Sequence, residues 1–146
     1  MTAQLASVDL RQDEYIVSTY SKTAKGLWVL DGTPTRLPQG SAADELGMAV
    51  LEALARARAG LDDPTRDSEP ARPLLDLLGL PDFATYAKGT RSVEVYRDGE
   101  TVEVTPKRNT GGRAGFTPID DGMETFAYDS PKQLGAAVVN AFVKAV

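Results

Sequence analysis

Several short stretches in the first 40 residues either alternate apolar and polar side chains or concentrate β-branched ones, and both patterns predict β-strands. Residues 14–20 (EYIVSTY) and 27–30 (LWVL) are rich in the β-branched and aromatic side chains that suit a pleated surface. Residues 33–38 (TPTRLP) contain two prolines, which lack the N–H that a central strand donates, so this stretch is expected at a sheet edge. Residues 1–13 are polar and irregular, and we expect them to form a loose arm.

The strongest strand signal is a hairpin in residues 92–106 (SVEVYRDGETVEVTP). Asp98-Gly99 fits a two-residue type I′ turn. That turn pairs four valines on the core face, Val95 with Val102 and Val93 with Val104. It also sets Glu94 opposite Glu103, an unfavourable pairing of like charges that calls for a nearby cation or a basic partner. Residues 115–119 and 123–128 predict two further strands.

Two longer segments have apolar residues at the spacing of an amphipathic α-helix. The first is expected to begin at Ser41 and to stop at Gly60, and the second to begin at Ser130, which caps it. Between them, residues 61–73 contain three prolines and mixed charges, which predicts a surface loop. A short apolar helix is expected in residues 74–79 and a helical turn in residues 81–89.

The two amphipathic helices match each other at a constant offset, since Leu46 and Leu134 are 88 positions apart and the rest of the apolar stripe follows with one change. Gly47 and Gly135 share the first turn, and glycine costs about 1 kcal/mol in a helix relative to alanine, so its recurrence indicates close backbone packing. The predicted strands before the first helix also match, in order, those before the second. We therefore predict a duplicated β-β-β-α unit, the alternative being a chance likeness of two alanine-rich helices. The expected fold is α+β, a largely antiparallel sheet with packed helices, in a single domain over residues 1–146.

Composition removes several kinds of chemistry. The 146 residues include no Cys and no His, which excludes disulfides, thiolate metal sites and nucleophiles activated by histidine. The net charge of −5 repels nucleic acids and attracts basic partners. The first residues lack the features of a signal peptide, and no apolar stretch approaches the length of a membrane span, so we expect a cytoplasmic protein.

Two kinds of charged cluster are candidates for binding. The basic, glycine-rich residues 107–115 (KRNTGGRAG) suggest a phosphate loop, but they lack its G-K-[ST] ending, so a plain turn between strands is favoured. Acidic residues form loop clusters at Asp62 and Asp63 and at Asp120, Asp121 and Glu124. None of these has the spacing of a calcium loop, and we predict neither a metal ion nor a cofactor.

At this point the sequence resembles a known family. The segments YIVSTYSKTAKGLWVL, ELGMAVLEALARARAG, KGTRSVEV, VTPKRNTGGRAGFTPI and SPKQLGAAVVNAF together are similar to the CdiI immunity proteins of bacterial contact-dependent growth inhibition, from about Tyr15 to the C-terminus. The resemblance implies a protein without catalytic activity. It implies binding to the toxic C-terminal domain of a secreted effector, in many cases a nuclease, and a block of the toxin's active site or of its approach to substrate. It transfers no catalytic or partner-binding residue by name.

The residues add a hypothesis about the contact surface. Carboxylates expected to pair with toxin Lys and Arg are Asp62, Asp63, Glu94, Glu103, Asp120, Asp121 and Glu124. For any one of them the alternative is a plain solubilising role. Two other functions stay open: an enzyme using carboxylate or lysine chemistry on a phosphorylated small molecule near Lys107, Arg108 and Arg113, and a nucleic-acid binder using the KRNTGGR turn. The oligomeric state is open between a monomer and a weak dimer.

Overall fold

The computed structural model describes residues 3–111 and 115–146. Within them the chain forms one antiparallel sheet and four α-helices, which confirms the predicted α+β fold. The strands are β1 (Gln4–Arg11), β2 (Glu14–Lys22), β3 (Trp28–Leu30), β4 (Thr35–Pro38), β5 (Arg91–Asp98), β6 (Thr101–Gly111), β7 (Gly115–Pro118) and β8 (Glu124–Ala127). The helices are α1 (Ala43–Ala55), α2 (Arg72–Leu78), α3 (Phe83–Ala87) and α4 (Pro131–Ala141), with a 3₁₀ turn at Asp120–Gly122.

The strand order is β3-β2-β1-β5-β6-β7, with β4 also paired to β2 and β8 to β6. One face of this sheet, the helical face, packs against α1 and α4 and forms the larger core. The four predicted core valines, Val93, Val95, Val102 and Val104, are fully buried there. The opposite face, the polar face, packs against α2 and α3 through a smaller cluster that includes Ile16, Leu74 and Tyr86.

The opening residues correct the prediction of a loose arm over residues 1–13. Residues 4–11 form β1, which lies in the middle of the sheet between β2 and β5. Ala6, Val8 and Leu10 face the helical side. Leu5, Ser7 and Asp9 point to the polar face and are also buried, the two polar residues at 3% and 6% exposure. Residues 6–11 alternate apolar and polar side chains, a strand pattern that the sequence prediction missed. Residues 12 and 13 form the β1–β2 turn, both with positive φ. Residues 1 and 2 lie outside the described residues.

The duplication is confirmed, but each unit has four strands, not three. In both units the first two strands form a hairpin, the next two pair with the second strand, and a helix follows. β1 and β5 pair with each other around the Ser7–Glu94 position, which places an approximate twofold axis there. The strand that the sequence did not predict is β1, the counterpart of β5.

The recurring glycines lie where α1 and α4 cross, which confirms the close backbone packing predicted for them. A Cβ built on Gly47 would be 1.8 Å from the carbonyl oxygen of Pro131, and one built on Gly135 would be 1.8 Å from that of Ala43. The two contacts are related by the approximate twofold axis. Each helix therefore admits the first turn of the other only because its own residue at this position has no side chain.

The predicted hairpin register is wrong by two residues. The turn is Gly99-Glu100, and only Gly99 has positive φ (63°), as a type II′ turn requires. A two-residue shift keeps the same side chains on each face, which is why the valines remain in the core. Glu94 consequently lies opposite Thr105, and Glu103 lies opposite Tyr96.

The start of α4 was predicted correctly, and the start of α1 was not. The hydroxyl of Ser130 accepts a hydrogen bond from the Gln133 N–H at 3.2 Å, as the capping box predicts. Ser41 does not cap α1, which begins at Ala43 after Ala42 without a side-chain cap. The proline-rich stretch predicted as a loop contains no helix or strand in residues 62–71, whereas its last two residues, 72 and 73, open α2.

Candidate partner-binding surface

The seven predicted carboxylates lie in three separate places. Asp62 and Asp63 follow Leu61, which bridges to Thr23 just beyond the end of β2. Glu94 and Glu103 lie on β5 and β6. The remaining three, Asp120, Asp121 and Glu124, lie on the 3₁₀ turn and β8, next to β6. Because β2 and β6 are three inter-strand steps apart, the outer groups are separated by about 14 Å of sheet. The structure thus brings together only Glu94 and Glu103.

The polar face places Glu94 and Glu103 among aromatic and hydroxyl side chains. The row through the Ser7–Glu94 pair contains Ser18, Ser7, Glu94 and Thr105, one from each central strand. The next row contains Tyr20, Leu5, Tyr96 and Glu103. Both glutamates and both tyrosines are half-buried, while the hydroxyl residues beneath them are buried. Tyr96, which lies directly opposite Glu103, can add ring contacts to the charge attraction for a cationic side chain.

A lysine supplies the cation that the sequence indicated next to Glu94. Lys107 Nζ lies 3.2 Å from Glu94 Oε1, and the two side chains are 13% and 28% exposed. Glu103 forms no ion pair within residues 3–111 and 115–146. One carboxylate of the polar face is therefore neutralised from within the chain, and the other is available to an outside cation.

Sequence reasoning missed a buried carboxylate beneath this face. Asp9 accepts hydrogen bonds from the Tyr86 hydroxyl and, at 2.6 Å, from the Ser92 hydroxyl. Burial raises the pKa of Asp9, and the hydrogen bonds from Ser92 and Tyr86 and the charge of Lys107 oppose that rise. Since Tyr86 belongs to α3, this network fixes α3 to the sheet. The only sequence signal was an acidic residue within an alternating stretch.

The duplication also produces two similar grooves whose charges differ. One lies between β4 and α1 (about 360 Å³) and the other between β8 and α4 (about 290 Å³). The first is lined by the acidic residues Asp44, Glu45 and Glu52. At the matching positions the second repeat has Lys132, Gln133 and Asn140. The groove of the first repeat is therefore lined by three carboxylates and that of the second by one, Glu124.

The described residues of the basic, glycine-rich stretch are 107–111, at the end of β6, and 115, at the start of β7. Lys107 and Arg108 lie within β6, which extends to Gly111. Arg113, the third cation of the predicted anion site, lies outside the described residues. In the described part of the chain no three acidic residues are close enough to hold a metal ion, and no helix is long and apolar enough to cross a membrane.

Comparison with solved structures shows that this α+β fold is known from bacterial proteins. The chain matches a protein of unknown function from Neisseria meningitidis with a TM-score of 0.81 and 22% identity, covering 99% of this chain and 96% of that one. It also matches a chain of a CdiA-CT/CdiI toxin and immunity complex from Yersinia pseudotuberculosis with a TM-score of 0.76 and 19% identity, covering 100% and 99%. No protein-family model and no curated protein matches the sequence. The chain thus shares its fold with these two proteins over its full length.

Proposed function

We propose that this chain is an immunity protein that binds and neutralises the toxic C-terminal domain of a contact-dependent growth inhibition effector, with a nuclease as the toxin. The observation that carries the proposal is the match along the full chain to a component of a toxin and immunity complex. The sequence segments from residue 15 onward that resemble CdiI immunity proteins support the same proposal. The protein acts in the cytoplasm by occupying the toxin's working surface, without a reaction of its own.

Electrostatics supports this partner. A nuclease holds phosphates with basic residues, so its active-site groove attracts a protein of net charge −5. We propose that Glu103 contacts a toxin Lys or Arg directly, with Tyr96 opposite it, and that Glu94, which is already paired with Lys107, adds its second carboxylate oxygen to the contact. The other predicted carboxylates, Asp62, Asp63, Asp120, Asp121 and Glu124, contribute through long-range attraction, as does the acidic groove of the first repeat.

The first test uses the C-terminal domain of the polypeptide encoded just upstream. Co-expression should rescue growth from that domain, and the two proteins should purify as a one-to-one complex. Association should slow as salt is raised from 50 to 300 mM, because exposed charges are screened beyond about 8–10 Å at physiological salt. Failure to rescue growth, or the absence of a stable complex, would refute the proposed function.

A pair of charge-matched variants tests the contact surface. Glu94→Gln/Glu103→Gln and Asp62→Asn/Asp63→Asn each remove two negative charges, so they weaken long-range steering to a similar extent. We expect only the first to speed dissociation substantially, by about tenfold or more, because close charge pairs at interfaces govern the off-rate. Equal dissociation rates for the two variants would show that the polar face is not the contact surface.

A further inference from the structure

A cavity of about 640 Å³ lies on the helical side of the sheet, away from Glu94 and Glu103. It is bounded by α1, the β5–β6 turn and the residue that follows β8. Its lining residues are Gln4, Leu51, Ala55, Ala57, Arg97, Gly99 and Tyr128. The volume lies within the range of small-molecule sites, roughly 300–1,000 Å³. The lining combines one cation with apolar and aromatic surface and contains no carboxylate.

The cation in this cavity, Arg97, is held in place by its neighbours. Its Cζ lies 4.5 Å from the centre of the Tyr128 ring, and its Nε donates a hydrogen bond to the Gly99 carbonyl at 2.9 Å. The backbone of Tyr128 is held by its N–H, which donates to the Glu100 carbonyl at 2.7 Å. The guanidinium is therefore oriented before any ligand arrives, which lowers the entropic cost of binding.

The terminal nitrogens of Arg97 have little competition. Nη2 lies 3.9 Å from Glu100 Oε1, whose side chain is 77% exposed, and such exposed pairs are weak. Among the described residues, no protein acceptor bonds to Nη1. A guanidinium with both terminal nitrogens available matches the two oxygens of a carboxylate.

In the second repeat a longer side chain occupies the corresponding position. The counterpart of Gln4 there is Arg91, whose Nη1 donates to the Phe142 carbonyl at 3.2 Å and whose guanidinium lies 5.9 Å from the Phe142 ring centre. Arg91 thus covers the C-terminal end of α4. In the first repeat the shorter Gln4 leaves the end of α1 open, and the cavity lies there.

We propose that this cavity binds a small organic carboxylate, a function separate from toxin binding. The carboxylate pairs with Nη1 and Nη2 of Arg97, and the apolar body of the ligand packs against Leu51 and Ala55. Tyr128 supplies the wall on which the guanidinium rests. The ligand class is an aliphatic or aromatic monocarboxylate small enough for 640 Å³.

The test needs only the purified chain and two probes of nearly equal shape, benzoate and neutral benzamide. In a titration followed by NMR, benzoate should shift the Arg97 Nε–Hε and Tyr128 ring signals in a saturable way, and benzamide should not. Arg97→Gln should abolish binding and Arg97→Lys should weaken it about tenfold, since lysine loses bidentate pairing. Arg108→Gln, which removes the same charge from an exposed position on β6, should bind as the parent does.

Two further variants keep the proposal falsifiable if Arg97→Gln unfolds. Ala55→Phe should fill the cavity and block benzoate while the Arg97 signal persists. Glu100→Gln removes the competing carboxylate and should tighten binding about two- to fivefold. The proposal would be overturned by benzoate shifts that do not saturate, or by equal shifts with benzamide. It would also be overturned if Glu100→Gln bound benzoate more weakly, or if Arg97→Gln or Ala55→Phe bound it as the parent does. None of these outcomes depends on the toxin.

Discussion

Replacing Gly47 by alanine should destabilise the fold, because the new Cβ has no space. It would lie 1.8 Å from the Pro131 carbonyl oxygen, whereas real Cβ contacts essentially never fall below 3.0 Å, so the helices must separate by about 1.2 Å. The obstacle is backbone, which places the cost near the upper end of the usual 1–3 kcal/mol for overpacking, at about 3 kcal/mol. Alanine recovers about 1 kcal/mol of helix propensity. The free energy of unfolding should therefore fall by about 2 kcal/mol.

Urea unfolding measures this loss directly. With a slope of about 2 kcal/mol per molar, the midpoint should fall by about 1 M. Gly40→Ala is the matched control, since nothing lies within 4 Å of a Cβ built there, and it should be neutral or slightly stabilising. Gly135→Ala should cost a similar amount, and the double variant less than the two together, because the first displacement opens room for the second. A Gly47→Ala protein as stable as the Gly40→Ala control would refute the close crossing of α1 and α4.

Three further predictions concern stability. Burial raises the pKa of Asp9 above 3.8, so its contribution to the free energy of unfolding is fully present below pH 3.8 and is lost as the pH rises through the folded-state pKa. In urea titrations the parent should therefore gain stability relative to Asp9→Asn as the pH is lowered from 7 to about 4. A stability difference that does not change with pH would contradict this. Ser130→Ala should lower the unfolding free energy by about 1 kcal/mol through loss of the cap, whereas Ser41→Ala, which removes no cap, should be neutral; equal effects in thermal melts would argue against the observed helix starts. Gly99→Ala should cost about 1 kcal/mol because φ is 63°, and Gly99→Asn should cost less, as chemical denaturation will show.

Much of the fold was predictable because local and tertiary requirements agree. In α4 the serine cap, the proline and the apolar stripe all indicate the same helix, and the structure has it. The shared glycines indicated close backbone packing, and the structure shows it between α1 and α4 at Gly47 and Gly135. β1 was missed although residues 6–11 alternate apolar and polar side chains. The pattern alone does not show that the polar residues are buried too, with Asp9 bound by Tyr86 and Ser92. The hairpin register failed because a glycine can occupy the first position of a type II′ turn as readily as the second of a type I′ turn.

The candidate surface was less predictable. Sequence could identify acidic residues, but the three places they occupy depend on which strands are neighbours. The ion pair of Glu94 with Lys107 required the true register, since the predicted one set Glu94 opposite Glu103. The cavity beside Arg97 depends on a difference between the repeats, Gln4 in one and Arg91 in the other, which acquires meaning only when both are seen in three dimensions.

The central position of β1 has a consequence for biosynthesis. Its partner β5 begins 80 residues later than β1 ends, at Arg91 after Arg11. At ribosomal rates of roughly 5–20 residues per second, the earlier strand waits about 4–16 s with one side of its backbone unsatisfied. Because the two halves are alike, the nearest substitute for the missing strand is the same segment of another nascent chain. Rapid overproduction should therefore favour intertwined or aggregated species, and slower synthesis should favour the correctly folded product.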